Sequence, residues 1–155
     1  TTWRSNDLRC DDSTWQSGAL GVGLERTSGF ENEIGIDIEA TAYGNNSTVY
    51  IRVPIPGTID PANVESLTLR MKYDDGFAAF INGTYAAGAN APSSLAWNSD
   101  SMSGISDSNA LQFENFDISH VISDLATTNN LLAIHGMNLH FRLLQGRHAF
   151  HHPEL

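Results

Sequence analysis

Basic residues are scarce in this chain. Eight Lys and Arg stand against eighteen Asp and Glu in 155 residues, a formal net charge of −10. Nucleic acid and anionic membranes both require Lys and Arg to neutralise phosphate, so neither is an expected partner. Cysteine is almost missing. The single Cys10 excludes an intrachain disulfide and reads as a small buried or half-buried residue. No apolar run approaches the ~18 residues that a membrane-spanning helix needs, and no basic-then-apolar signal segment opens the chain. Motifs that carry common chemistries are also lacking: there is no Gly-x-Ser-x-Gly elbow, no phosphate loop and no Cys/His zinc spacing. The opening Thr1-Thr2-Trp3, without an initiator Met, leads us to expect a module of a larger protein. Its charged residues are only 17% and its hydrophobic residues 41%, enough apolar material for one real core.

What is present is a period of two. Val49, Ile51, Val53 and Ile55 alternate with Tyr50, Arg52 and Pro54; Leu67, Leu69, Met71 and Tyr73 alternate with Thr68, Arg70 and Lys72. Both patterns predict half-buried strands facing one core. Phe77–Ile81 predicts a third strand, turned by Asn82-Gly83, the preferred pair of a two-residue hairpin, into a return over Thr84–Ala87. Phe113–Ile118 predicts another strand. The apolar run Leu131–Ile134 predicts a central strand buried on both faces. Helical signal is confined to a short turn over 120–125 with Ser119 as its cap. Residues 43–47, 88–109 and 127–130 are crowded with Gly, Ser, Asn and Asp and read as loops. The expected fold is an all-β sandwich over residues 1–155, one domain with at most one short helix.

Several blocks carry a resemblance. Asp11-Asp12-Ser13-Thr14-Trp15-Gln16-Ser17-Gly18 followed by Gly21-Val22-Gly23 resembles the opening of a galactose-binding-like jelly-roll domain of large secreted bacterial proteins, including planctomycete ones. The stretch from Val64 to Gly83 is similar to that family's most recognisable block: apolar strand, Asp74-Asp75-Gly76, strand, Asn82-Gly83. Phe116–Ser119, Asn130–Asn138 and Pro153-Glu154-Leu155 resemble its late strands and its end. The resemblance implies a jelly roll within a secreted or cell-surface parent protein. Residues 139–152 depart from it, being rich in His and Arg where the family has a Ser-rich turn and an apolar closing strand.

Candidate sites follow from residue chemistry. Asp74 and Asp75, adjacent carboxylates at a tight turn, can offer oxygens to Ca²⁺, a hard cation, or one of them can accept backbone amides in the turn while the other is solvated. A similar Asp-Asp-Gly occurs in calcium-dependent sugar-binding sandwiches. The block Asp11-Asp12-Ser13 has two readings as well: Asp12 or Ser13 caps a turn while Trp15 plugs the bottom of the sandwich, or the block holds a structural Ca²⁺. Glu31, Glu33, Asp37 and Glu39 form an acidic loop that reads as a solvated face. Sugar recognition needs a flat aromatic against the C–H face of the ring and polar groups for its hydroxyls. Trp97, Asn98 and Asp100 supply these within one polar loop, Tyr43 with Asn45 and Asn46 forms a smaller set, and Asn82 joins the ligand-binding candidates. Trp97 can instead fold back onto the core; Trp3 and Trp15 are expected there. His148, His151 and His152 form a tract able to take a transition metal.

The expected function is non-catalytic binding of a polysaccharide or glycan, with calcium as a candidate cofactor. A structural or adhesion spacer is the first alternative and would bury Trp97. A small glycoside hydrolase is the second, since two facing carboxylates suffice for that chemistry.

Overall fold

Alternating segments become strands where expected. The structure, a computed structural model, describes residues 2–6, 10–139 and 149–155. Its strands are β1 (Val22–Leu24), β2 (Ile36–Asp37), β3 (Thr48–Ile55), β4 (Thr68–Asp74), β5 (Gly76–Ile81), β6 (Thr84–Ala89), β7 (Glu114–Asp117), β8 (Asn130–Met137) and β9 (Ala149–Glu154). They form a five-stranded sheet, β2-β1-β9-β4-β7, and a four-stranded sheet, β3-β8-β5-β6. Every pairing is antiparallel except β1 with β2. From β2 onward successive strands alternate between the sheets, save for the β5–β6 hairpin. The fold is an all-β sandwich.

Local chemistry explains the turns. Asn82 (φ 49°) and Gly83 (φ 100°) both lie at positive φ between the paired Ile81 and Thr84, as a two-residue turn matched to strand twist requires. In place of at most one short helix there are two single α-helical turns, α1 (Glu39–Ala42) and α2 (Asp107–Ala110). The Asp37 carboxylate starts α1 by accepting the Glu39 amide at 2.8 Å. The turn expected at 120–125 is a 3₁₀ helix, Ser119–Asp124. Ser119 does not cap it: its hydroxyl accepts the Leu67 amide at 3.0 Å, tying the turn to β4.

Leu69, Met71 and Tyr73 of β4 pack against Phe77, Ala79 and Ile81 of β5 and Leu132 and Ile134 of β8 between the sheets. Burying each large member is worth roughly 1.5–3 kcal/mol. A second apolar layer lies on the outer face of the four-stranded sheet. There Ala78, Phe80, Leu131, Ala133 and Met137 are covered by Trp3. β8 is therefore buried on both faces, as its continuous apolar run implied. Trp3 is buried, but outside the sheet pair. Trp15 is 37% exposed and plugs nothing. The cause is Arg52 on β3, whose Nε donates to Asp12 at 2.7 Å and holds the 11–15 turn outside the sandwich.

The departing segment still closes the five-stranded sheet. β9 pairs with β1 on one side and β4 on the other, so 149–152 belong to a strand; residues 140–148 lie outside the described residues.

Candidate functional site

Loop residues 91–106 leave β6 and cross the end of the four-stranded sheet at which β3 starts and β8 finishes. Ala96 and Ser99 close a tight turn there: the Ser99 hydroxyl accepts the Ala96 amide at 2.9 Å, and the Ser99 amide donates to the Ala96 carbonyl at 3.3 Å. Trp97 and Asn98 occupy its tip. The Trp97 carbonyl accepts from the Thr48 and Tyr50 hydroxyls, each at 3.0 Å, which fixes the tip to β3. With its backbone pinned inward, the Trp97 side chain projects outward and is 70% exposed. Asn98 and Asp100 are exposed beside it.

The second candidate loop meets the first. The Ser47 hydroxyl donates to the Asp100 carboxylate, and the Ser101 and Asn138 amides donate in turn to the Asn138 and Ser47 carbonyls. Sequence reasoning placed Tyr43–Asn46 and Trp97–Asp100 as separate possibilities; the structure joins their loops through Ser47 at one end of the sandwich. Tyr43 itself is half-buried, with the Arg26 guanidinium 4.0 Å over its ring. That face is occupied, so within this pair of loops the open aromatic surface is Trp97.

Asn82 does not belong to the set. It lies at the opposite end of β8, by Asn130, seven residue steps from Met137 and hence roughly 23 Å away along the strand. Its side-chain amide donates to the Asp124 carbonyl and the Asn130 side chain at 2.8 and 2.7 Å, and its oxygen accepts the Leu131 amide at 2.9 Å. A hairpin tip packed against a neighbouring loop spends its amide internally.

Asp74 and Asp75 are fully buried and joined by a cis peptide bond. The Asp75 carboxylate accepts the Ile105 amide at 3.0 Å and the Leu139 amide at 2.8 Å. One oxygen thus anchors the loop before α2 and the other the segment leaving β8. Asp75 thus accepts amides over a longer range than a local turn, and Asp74 is buried where that alternative expected a solvated carboxylate. Among the described residues no three His, Cys, Asp or Glu side chains converge on a cation position. Asp11 and Asp12 divide similarly: the Ser13 hydroxyl and then the Ser13 amide, at 3.0 Å, hold the Asp11 carboxyl below the usual range, while Asp12 pairs with Arg52. The acidic loop is partly neutralised by Lys72–Glu33 at 2.8 Å and Arg26–Glu39 at 3.2 Å.

The histidine tract also separates. Neighbouring strand residues point to opposite faces. His151 is buried against the four-stranded sheet with Nε2 3.0 Å from the Gly76 carbonyl, whereas His152 sits beside Glu33 at 3.8 Å. These two cannot share a metal; His148 lies outside the described residues.

Three residues escaped the sequence reading: Arg52, Arg4 and Tyr85. Arg52 donates to the Trp3 and Ser5 carbonyls at 2.5 and 3.0 Å, pinning the N-terminal arm over the outer face. Its signal was an arginine on the polar side of an otherwise apolar strand, able to snorkel across that face. Arg4 and Tyr85 border a groove on this face, beside the loop that ends at Trp97.

Comparison of the chain with protein-family models, with curated proteins and with solved structures finds no match.

Proposed function

We propose that this chain is a non-catalytic carbohydrate-binding module of a larger secreted or cell-surface protein. The observation that carries the reading is Trp97. A large indole held 70% exposed on a turn whose backbone is bonded to β3 is a rigid platform. Stacking needs such a surface preorganised, because ordering it on binding would consume the small gain. The Asn98 and Asp100 side chains lie on the same turn for sugar hydroxyls, and Ser47 sets the Asp100 carboxylate in place. A spacer domain gains nothing from an exposed tryptophan on a braced loop. The reading does not call on Asp75, whose oxygens serve two amides.

Affinity electrophoresis through gels containing a panel of neutral and acidic polysaccharides tests it. The wild-type chain should be retarded by at least one polysaccharide, and Trp97→Ala should weaken that binding about tenfold, equivalent to ~1.4 kcal/mol. Absence of retardation across the panel removes the proposal, and an unaffected Trp97→Ala variant removes Trp97 as its platform.

A further inference from the structure

The chain carries a large surplus of acid, and its described basic residues are accordingly spoken for. Arg26 pairs with Glu39, Arg52 with Asp12, Arg70 with Glu154 and Lys72 with Glu33. Arg4 is the exception. Among the described residues it makes no ion pair and no hydrogen bond, and its Nε is buried with no acceptor. A buried donor without an acceptor costs free energy until something supplies one.

Its position is nevertheless well defined. The guanidinium carbon lies 4.2 Å over the Phe80 ring and 5.4 Å from that of Trp3, a stacking that suits a planar, weakly hydrated cation. Trp3 is itself held by Tyr50, ring centroids 4.4 Å apart, and by the Arg52 bond to its carbonyl. The arm bearing Arg4 is therefore braced from two sides.

Arg4 borders an open groove of about 530 Å³ on the outer face of β5 and β6. Phe80 and Tyr85 form one wall, ring centroids 5.9 Å apart and nearly perpendicular. Pro92, Ser93 and Ser94 form the other. Tyr85 is 52% exposed, so an aromatic face is open beside the cation. Among the described residues no acidic side chain lines the groove. The Ser93–Ser94 wall runs within a few residues into the Trp97 turn, which makes groove and platform neighbours along one loop.

We infer that this groove binds a sugar residue bearing one carboxylate, with Arg4 pairing the carboxylate and Tyr85 lying against the ring. A guanidinium matches a carboxylate in planar, two-point fashion, and the seryl hydroxyls suit ring hydroxyls. The net charge of −10 argues for an isolated uronic acid within a mainly neutral glycan over a polyanion, which the rest of the surface would repel. The inference rests on the glycan-binding reading above and names its ligand class.

The test is titration calorimetry with uronic-acid-containing oligosaccharides, each paired with its carboxyl-reduced neutral form. The wild-type chain should bind at least one acidic form about tenfold more tightly than its reduced partner. Arg4→Gln should erase that preference, Arg4→Lys should restore only part of it, and both should keep the wild-type melting temperature. Tyr85→Ala should weaken both forms alike. No preference for any carboxylate form, or a preference that survives Arg4→Gln, overturns the inference. Trp97→Ala separates the two claims. Binding weakened with the acidic preference intact supports both. Unchanged binding with an intact, Arg4-dependent preference keeps the groove and removes the platform. Wild-type binding to neutral polysaccharides alone, sensitive to Trp97→Ala, keeps the platform and removes the carboxylate.

Discussion

Acid should unfold this protein through two buried histidines before it does so through carboxylates. His135 and His151 are each 1% exposed. Burial pushes both down to about 4 from an ordinary 6.5, and Arg4 adds to the effect at His135. At His151 the Gly76 carbonyl and Asp75 act in the opposite direction, and desolvation outweighs them. The folded chain keeps both rings neutral where the unfolded chain protonates them. Between about pH 6.5 and 4 the unfolded state binds more protons, so stability is retained above this window and falls as pH falls through it. At about pH 5 a group shifted from 6.5 to 4 contributes a loss of ~2 kcal/mol. Counting His135 at half because it lies in the outer layer, under the Trp3 and Tyr50 rings, gives ~3 kcal/mol for the pair, a large part of the roughly 5–15 kcal/mol that holds a domain folded. Asp11 and Asp117, held below the usual carboxylate range by Ser13 and Ser119, titrate beneath this window. Urea unfolding at about pH 7.5 and pH 5 measures the loss directly. The double variant His135→Phe, His151→Phe keeps a ring over Gly136 and against Tyr50 but cannot titrate, and its stability should change by less than ~1 kcal/mol over the same interval. A wild-type chain equally stable at both values, or a double variant with the same acid loss, would refute the reasoning.

Other outcomes follow from single contacts. Asn82→Gly keeps the positive φ but removes three hydrogen bonds, and should cost roughly 2–3 kcal/mol in urea unfolding; a loss within ~0.5 kcal/mol would return Asn82 to the surface. Asp75→Ala strands the Ile105 and Leu139 amides and should cost at least ~2 kcal/mol, while added calcium should leave the wild-type melting temperature where it is; a clear rise would point to a cation at these carboxylates. In Gly136→Ala the new Cβ would lie 2.6–2.8 Å from the His151 ring, an overpacking worth about 1–3 kcal/mol by calorimetric or urea unfolding. Arg52→Met should free the N-terminal arm, red-shifting tryptophan emission and raising acrylamide quenching as Trp3 opens to solvent.

Strands β3 to β8 were legible because their signal is local, whereas β1 and β2, at three and two residues, are too short to show a period, and β9 lies in the atypical closing segment. Period-two alternation in β4 maps directly onto the buried Leu69, Met71 and Tyr73, and Asn82-Gly83 specified its own turn. The candidate site was half legible. Trp97 stood out as an aromatic in a polar loop, but its bonds to Thr48 and Tyr50 span nearly fifty residues and leave no local trace. Asn82 and Asp75 were misplaced or ambiguous for the same reason: short polar side chains suit ligands and distant backbone groups equally, and only the tertiary fold decides which they meet. Arg4 was illegible because its meaning is relational. Nothing near it in the chain indicates that every other described basic residue has an acid partner.

Chain order and sheet order conflict in both sheets, at β8 in the four-stranded one and at β9 in the five-stranded one. β9 comes last in sequence yet lies between β1 and β4. Until it arrives, the five-stranded sheet exists as two separate pairs, β2-β1 and β4-β7, each with an unpaired edge facing the gap. Its register joins Val22 to His151, contacts separated by most of the chain, so loop-closure entropy is spent before this sheet gains its central hydrogen bonds. During synthesis the nascent chain must shelter those two open edges until the final strand emerges, and any foreign strand that pairs with them first would lock it out.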